Sequence, residues 1–129
     1  MAHVGQKTVL VVEDENALQH ILAQKLEKEG FSVLTANNGK DALALALGKH
    51  PDLILLDIMM PHDGITMLEE LRRDEPYGKQ VRVIFLTNLS PDTDRIIQAI
   101  ERNEPVFYLI KANSTPSLVV EKVHEALAG

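Results

Sequence analysis

The chain has no cysteine. Disulfides, zinc–thiolate centres and thiol nucleophiles are therefore excluded, and the composition is compatible with a reducing cytosol. Basic residues are also in deficit, with 13 Lys and Arg against 19 Asp and Glu and a formal net charge of −6. They are scattered and build no basic helix, so neither a nucleic-acid footprint nor a nucleic-acid partner is expected. No apolar stretch approaches the roughly 20 residues of a membrane span. Residues 1–7 lack the apolar core of a signal peptide. Linkers, low-complexity tracts, internal repeats, Gly-x-Gly-x-x-Gly and Walker motifs are missing as well. What remains is 129 residues with an ordinary 45% hydrophobic content. That is enough for one domain around one core, expected to be cytoplasmic, with no membrane partner and no appended output domain.

Five short apolar runs alternate with helical patterns. Thr8 to Val12 reads as the first strand. Asn16 to Glu29 follows as a helix, with Leu18, Ile21, Leu22, Lys25 and Leu26 at helical spacing and Gly30 as a left-handed stop. Phe31 to Ala36 is the second strand and Asn37-Asn38-Gly39 a turn. Asp41 to Leu47 alternates Ala and Leu like a strand, but both are strong helix formers and neither is β-branched, so a helix is expected. Leu53 to Asp57 is the third strand. Pro61 and Gly64 punctuate a loop before a helix from about Ile65 to Asp74, and Pro76-Tyr77-Gly78 marks a surface turn. Val81 to Thr87 is the fourth strand. Ser90-Pro91-Asp92 and Thr115-Pro116 each open a helix, and the fifth run, Val106 to Ile110, lies between those helices.

Continuous apolar strands covered by amphipathic helices imply an α/β fold with a five-stranded parallel sheet buried on both faces. Right-handed crossovers favour the strand order 2-1-3-4-5. The strands then deliver Glu13-Asp14, Asp57, Thr87 and Lys111 to one carboxyl edge, with Glu13, Asp14 and Asp57 at the switch point where ligands bind in such sheets. Three acids, a hydroxyl and a lysine suit a divalent metal and a phosphoryl group. Clustered carboxylates repel, so all three stay ionised only beside a cation. Oxygen donors with room for water suit Mg²⁺ better than zinc.

Four segments carry a resemblance: Val11-Val12-Glu13-Asp14-Glu15, Leu55-Leu56-Asp57-Ile58-Met59-Met60-Pro61, Phe85-Leu86-Thr87 and Tyr108-Leu109-Ile110-Lys111. In this order and at strand ends, they resemble the receiver domain of two-component response regulators, from Lys7 to about Leu127. The resemblance implies a flavodoxin-like (βα)5 three-layer sandwich, a single receiver domain over 1–129 with its core at about 7–127. It implies Asp57 as phosphoacceptor, taking a phosphoryl group from a sensor histidine kinase or histidine phosphotransfer protein. Asp14, Asp57 and the backbone carbonyl of Met59 would bind Mg²⁺ directly and Glu13 through water. Thr87 would hydrogen-bond the phosphoryl group and Lys111 would pair with it. Thr87 and Tyr108 would form the switch. A face made by the fourth helix, fifth strand and fifth helix would serve output to a downstream protein or a phosphorylation-dependent dimer.

The chain departs from that pattern in places. The loop Pro61-His62-Asp63-Gly64 is one residue short. Ala112 stands where a cis proline usually follows the lysine, and a cis bond before alanine costs about 3 kcal/mol, so a trans Lys111–Ala112 bond is expected. Arg102-Asn103-Glu104-Pro105 replaces a small-residue turn, and Thr87 to Lys111 is about two residues longer than usual. Asn88 replaces a smaller residue and is expected to crowd the site.

Plainer readings stand beside these. Glu13-Asp14-Glu15 on its own reads as a solvated first helical turn, and Asp57 as an Asx turn. Tyr108 reads equally as a packed aromatic. Met59 and Met60 read as packing residues, His62 as a solvent-exposed loop side chain, and His3, His20, His50 and His124 show no metal spacing. Leu118, Val119, Val123 and Leu127 form a core stripe.

The function expected is a phosphorylation-dependent signalling switch that is no metabolic enzyme and catalyses only its own phosphoryl transfer and slow self-dephosphorylation. The apolar Met59 and Leu89 should keep an attacking water away. The alternative is an aspartate-nucleophile phosphatase on a similar sheet. It needs a second acid two residues after the nucleophile, where this chain has Met59. A flavodoxin-like cofactor module would need a phosphate-cradling loop where this chain places acids.

Overall fold

In a computed structural model that describes residues 6–59, 64–88 and 94–128, the strands are β1 (Thr8–Val12), β2 (Ser32–Ala36), β3 (Leu53–Leu56), β4 (Arg82–Thr87) and β5 (Phe107–Ile110). All pairings are parallel, in the order β2-β1-β3-β4-β5. The helices are α1 (Asn16–Lys28), α2 (Gly39–Lys49), α3 (Gly64–Leu71), a single turn α4 (Tyr77–Gln80), α5 (Asp94–Asn103) and α6 (Pro116–Ala128), with a 3₁₀ turn at Lys111–Asn113. The strand order is the one expected from right-handed crossovers.

Successive strand residues point to opposite faces, which splits the core in two. Leu10, Ile54, Leu56, Val83 and Phe85 pack with Ala42, Ala46, Leu68, Leu71, Ile96 and Ala99 of α2, α3 and α5. Val9, Val11, Leu53, Leu55, Ile84 and Leu86 pack with Leu22, Leu26, Val119 and Val123 of α1 and α6. Helices on both faces are why the strands read as unbroken apolar runs. The Ala/Leu segment is the helix its propensity predicts. It buries Ala42 and Ala46 and leaves Leu47 exposed. In α1 the predicted stripe buries Leu22 and Leu26, while Ile21 is 42% exposed at its margin.

Capping chemistry sets the ends. Gly30 has φ 94°, the left-handed stop expected after α1. Asn38, read as part of a turn, is the N-cap of α2, its side chain accepting the Asp41 N–H at 2.8 Å. Thr115 Oγ1 accepts the Leu118 N–H at 3.1 Å and opens α6. The predicted surface turn at Pro76-Tyr77-Gly78 is instead the helical turn α4. Asp74 holds it locally, its Oδ2 accepting the Gly78 N–H at 3.2 Å and its backbone O the Lys79 N–H at 2.8 Å, and longer-range contacts fix it: Arg72 donates to the carbonyls of Gly78, Val81 and Asn103 at 3.0, 2.7 and 2.9 Å, and the Tyr77 hydroxyl donates to Pro51 O at 2.7 Å. Pro61, His62, Leu89 and the Ser90-Pro91-Asp92 opening lie outside the described residues. Among those described, no helix is long and apolar enough to cross a membrane.

Candidate functional site

The carboxyl ends of β1, β3, β4 and β5 form one edge, and the polar residues that follow the apolar runs meet there. Asp57 directly follows β3 and is 3% exposed. Its backbone N–H continues the ladder onto Val12 O at 3.0 Å, which fixes its root beside the end of β1. Oδ1 accepts the Met59 N–H at 2.9 Å, and Oδ2 accepts from Lys111 Nζ at 2.8 Å. Each oxygen of the carboxylate thus has a donor.

Glu13 follows β1 and is 1% exposed, which removes the reading of a solvated helix-end acid. Its N–H bonds Ala36 O at 3.0 Å, and its Oε2 accepts the Glu15 N–H at 2.9 Å. Lys111 Nζ lies 2.8 Å from Oε1 and 3.0 Å from Oε2. Only the second contact has hydrogen-bond geometry, so Oε1 is buried with charge beside it but no donor. Lys111 Nζ also reaches the exposed Glu15 Oε1 at 3.1 Å. One ammonium therefore serves three carboxylates that arrive from β1 and β3.

Burial raises the Glu13 carboxyl above its ordinary value, and the hydrogen bond from Lys111 offsets this only in part. For Lys111, burial acts to lower the value. The hydrogen bonds and charges of Asp57 and Glu13 outweigh it together, so the ammonium titrates above its usual range.

Glu13, Asp14 and Asp57 each offer one oxygen, and these oxygens all lie within 4.8 Å of one another. Asp14 is exposed, which leaves the cluster open to water on one side. Oxygen-only donors, a solvent-facing side and the donor-less Glu13 Oε1 fit a hard divalent cation that keeps part of its water.

The remaining predicted site residues take different places. Thr87 ends β4, fully buried, opposite Ile110 in the register. Tyr108 is not part of the carboxylate cluster. It is half-buried on β5, three residues before Lys111, with its ring edge-on to Phe85 at 5.8 Å. Met59 places its N–H on Asp57, but its side chain is 57% exposed, so it is not the packing residue expected. The chain has left the sheet by Met59, and its side chain, unlike that of Ile58, no longer faces either core. His50 stacks on Tyr77 and His124 contacts Glu29 Oε1 at 2.9 Å, both remote from any metal cluster among the described residues. The Lys111–Ala112 bond is trans as expected, the one cis bond among the described residues being Glu75–Pro76.

Two contributors escaped the sequence reading. Gln19 Nε2 donates to Glu13 O at 3.0 Å and Ala36 O at 3.1 Å, pinning the ends of β1 and β2 from α1. A glutamine in a first helical turn carries no signal of that role. Gly64, read only as punctuation, lets α3 start against the backbone of Asp57. A Cβ there would lie 2.7 Å from Asp57 O.

A family model described as the response regulator receiver domain matches residues 9–122. The "probable transcriptional regulator ycf27" of Cyanophora paradoxa is 38% identical over 94 residues, covering 72% of this chain and 38% of that protein. The transcriptional regulatory protein CpxR of Klebsiella pneumoniae is 43% identical over 90 residues, 69% of this chain and 37% of that protein. The chain thus spans little more than a third of the length of these curated relatives. Among solved structures, a CheY-like response regulator receiver domain protein from Methanospirillum hungatei superposes with a TM-score of 0.84 at 26% identity, covering 96% of this chain and 95% of that one. The BeF3-activated N-terminal receiver domain of Klebsiella pneumoniae RstA gives 0.78 at 28% identity, with 95% and 99% covered.

Proposed function

This chain belongs to the response regulator receiver domain family, and from that premise we propose that it is a phosphorylation-controlled switch whose phosphoacceptor is Asp57. One observation carries the assignment: a buried carboxylate at the end of β3 shares a single lysine with a buried acid from β1. A carboxylate oxygen of Asp57 attacks the phosphorus of a phosphohistidine on a sensor kinase or phosphotransfer protein. The P–N bond breaks, the imidazole nitrogen keeps its electron pair, and an aspartyl phosphate remains. The work of the site is positioning and charge neutralisation. The Met59 N–H holds one oxygen of Asp57 in place. Lys111 balances charge on the transferred group, and the Thr87 hydroxyl at the adjacent strand end is assigned to bond it. Mg²⁺ held by Asp14, Asp57 and the Met59 carbonyl, with Glu13 through water, would neutralise the phosphoryl oxygens. Tyr108 is assigned as the partner of Thr87 in the switch.

The chain acts as a single receiver domain. The face of α5, β5 and α6 is assigned to output, through a downstream protein or a phosphorylation-dependent dimer. The relatives are named as transcriptional regulators, so the expectation of no nucleic-acid partner draws no support from them, and it concerns this segment alone. The phosphatase alternative gains nothing, because no acid occupies the Met59 position.

Intact mass after treatment with acetyl phosphate and Mg²⁺ tests the proposal. One phosphoryl group, labile to hydroxylamine, dependent on Mg²⁺ and absent from Asp57→Asn, is the expected result. Full labelling of Asp57→Asn, or no label on the wild type under conditions that label a known receiver, would refute it.

Signal lifetime follows from the same residues. The Met59 side chain stands in solvent next to Asp57 and can neither orient nor deprotonate a water. Self-dephosphorylation is therefore expected to be slow. Met59→Asn should hasten decay by about tenfold, a small part of what a positioned acid or base supplies. Equal decay of the two proteins in excess Mg²⁺ would remove Met59 from the account.

A further inference from the structure

Lys111 must hold its ammonium within 3.1 Å of three carboxylates, on a flexible stem that carries about 2 kcal/mol of rotamer entropy. The root of that stem is fixed from two sides. Before it, Ile110 pairs with Thr87 as the last rung between β4 and β5. After it, the Ala112 N–H donates to Asn88 Oδ1 at 3.1 Å. The 3₁₀ turn Lys111–Asn113 then closes through the Ser114 N–H on Lys111 O at 3.2 Å.

The first N–H groups of any helical turn have no partner inside it. Ala112 is the second residue of the turn, among those without an internal partner, and no side chain of the turn's own N-cap residue, Ile110, satisfies it. Asn88 caps it from the neighbouring strand. Its side-chain carbonyl adds one rung to the β4–β5 ladder just where the backbone pairing ends.

We propose that Asn88 is a positioning residue for Lys111, a strap from the end of β4 that holds the turn after β5 and so sets the ammonium over Asp57. Asn88 directly follows Thr87, so the strap also ties the two groups assigned to the phosphoryl oxygens into one unit. The effect on phosphoryl transfer rests on the proposed reading of the site. The effect on Lys111 itself does not.

The test pairs Asn88→Ala with Ala112→Pro, which removes the donor N–H, and combines them in a double-mutant cycle. Two quantities are read: the Lys111 Nζ resonance in unphosphorylated protein, and the maximal rate of labelling by acetyl phosphate. Asn88→Ala is expected to shift or broaden the Lys111 resonance. It should lower the maximal rate by about fivefold, the worth of one ordinary hydrogen bond, with half-saturating Mg²⁺ unchanged. In the Ala112→Pro background the same substitution should add nothing. If Ala112→Pro does not fold, Asn88→Asp replaces it in the test, since it keeps the acceptor and should retain the wild-type Lys111 resonance. An unmoved resonance in Asn88→Ala, additive effects in the cycle, or an Asn88→Asp resonance like that of Asn88→Ala overturns the strap. A wild type that takes no label defeats the functional reading instead, and the resonance still decides the strap.

Discussion

Lys111→Met should lower stability without metal by about 3 kcal/mol, the loss typical of removing one partner from a buried ion pair. For a domain of this size that is a melting temperature lower by roughly 10 °C. Lys111 Nζ is the only cation within 4.0 Å of Glu13 or Asp57 among the described residues. Their side chains are 2% and 3% exposed, so water replaces only part of the solvation that the ammonium supplies. Glu13 relieves part of the cost by taking up a proton, because burial already raises its carboxyl. Glu15→Gln is the control. It removes a 3.1 Å contact to a 63% exposed side chain, and exposed pairs contribute at most about 1 kcal/mol.

Mg²⁺ gives the same experiment a second arm. A divalent cation among Glu13, Asp14 and Asp57 supplies the charge that Lys111 no longer does, and a ligand that binds only the folded state raises stability by mass action. Mg²⁺ should therefore stabilise Lys111→Met more than it stabilises the wild type, and adding Asp14→Ala should abolish the gain. The measurement is thermal unfolding with EDTA and with Mg²⁺. A Lys111→Met protein melting within about 2 °C of wild type in EDTA, less than 1 kcal/mol on this scale, would contradict the argument. So would equal stabilisation of both proteins by Mg²⁺.

The sheet was legible because its signals are local and redundant. Each strand is a continuous apolar run between turn residues, and chirality leaves few ways to order five such runs. The acids were legible through that order: Glu13 and Asp57 are 44 residues apart and become neighbours only because β1 pairs with β3. What stayed hidden is set by side-chain reach across elements. Nothing near Gln19 indicates that its amide bridges Glu13 O and Ala36 O. Near Tyr77 only Asp74 hints at a helical turn, its Oδ2 accepting the Gly78 N–H, and the contacts from Arg72 and to Pro51 that hold the turn are not visible in the local sequence. Apolar character alone does not distinguish Met59 from its neighbour: past the end of β3 the chain still buries Ile58 in the core but turns Met59 to solvent. Asn88 was seen as bulk, whereas its carbonyl is a hydrogen-bond partner.

Gly64→Ala should damage both stability and phosphorylation, although the glycine bears no chemistry. It is buried at the start of α3, and an added Cβ would lie 2.7 Å from Asp57 O, 3.0 Å from Ile58 Cα and 3.2 Å from Leu56 Cδ1. The nearest two atoms are backbone, so no flexible side chain can move aside. Either α3 backs away from the sheet or the Asp57–Ile58 segment moves. Overpacking of this kind costs about 2 kcal/mol. The functional loss comes from where the strain falls, because the segment pushed is the one that aims Asp57 at Lys111. A displacement of about 1 Å in a reacting group can cost a hundredfold in rate, so labelling by acetyl phosphate should slow by tenfold or more, on the order of part of that range. Gly48→Ala separates this from a general effect of filling glycines. Gly48 lies within α2 with nothing inside 4 Å of the added Cβ, and alanine there should raise stability by about 0.5 to 1 kcal/mol and leave labelling unchanged. Denaturant unfolding and time-resolved intact mass on the three proteins measure both effects. If Gly64→Ala labels at the wild-type rate, the close approach of α3 to the Asp57 backbone has no functional role, and the Asp57 position must be set by the sheet alone.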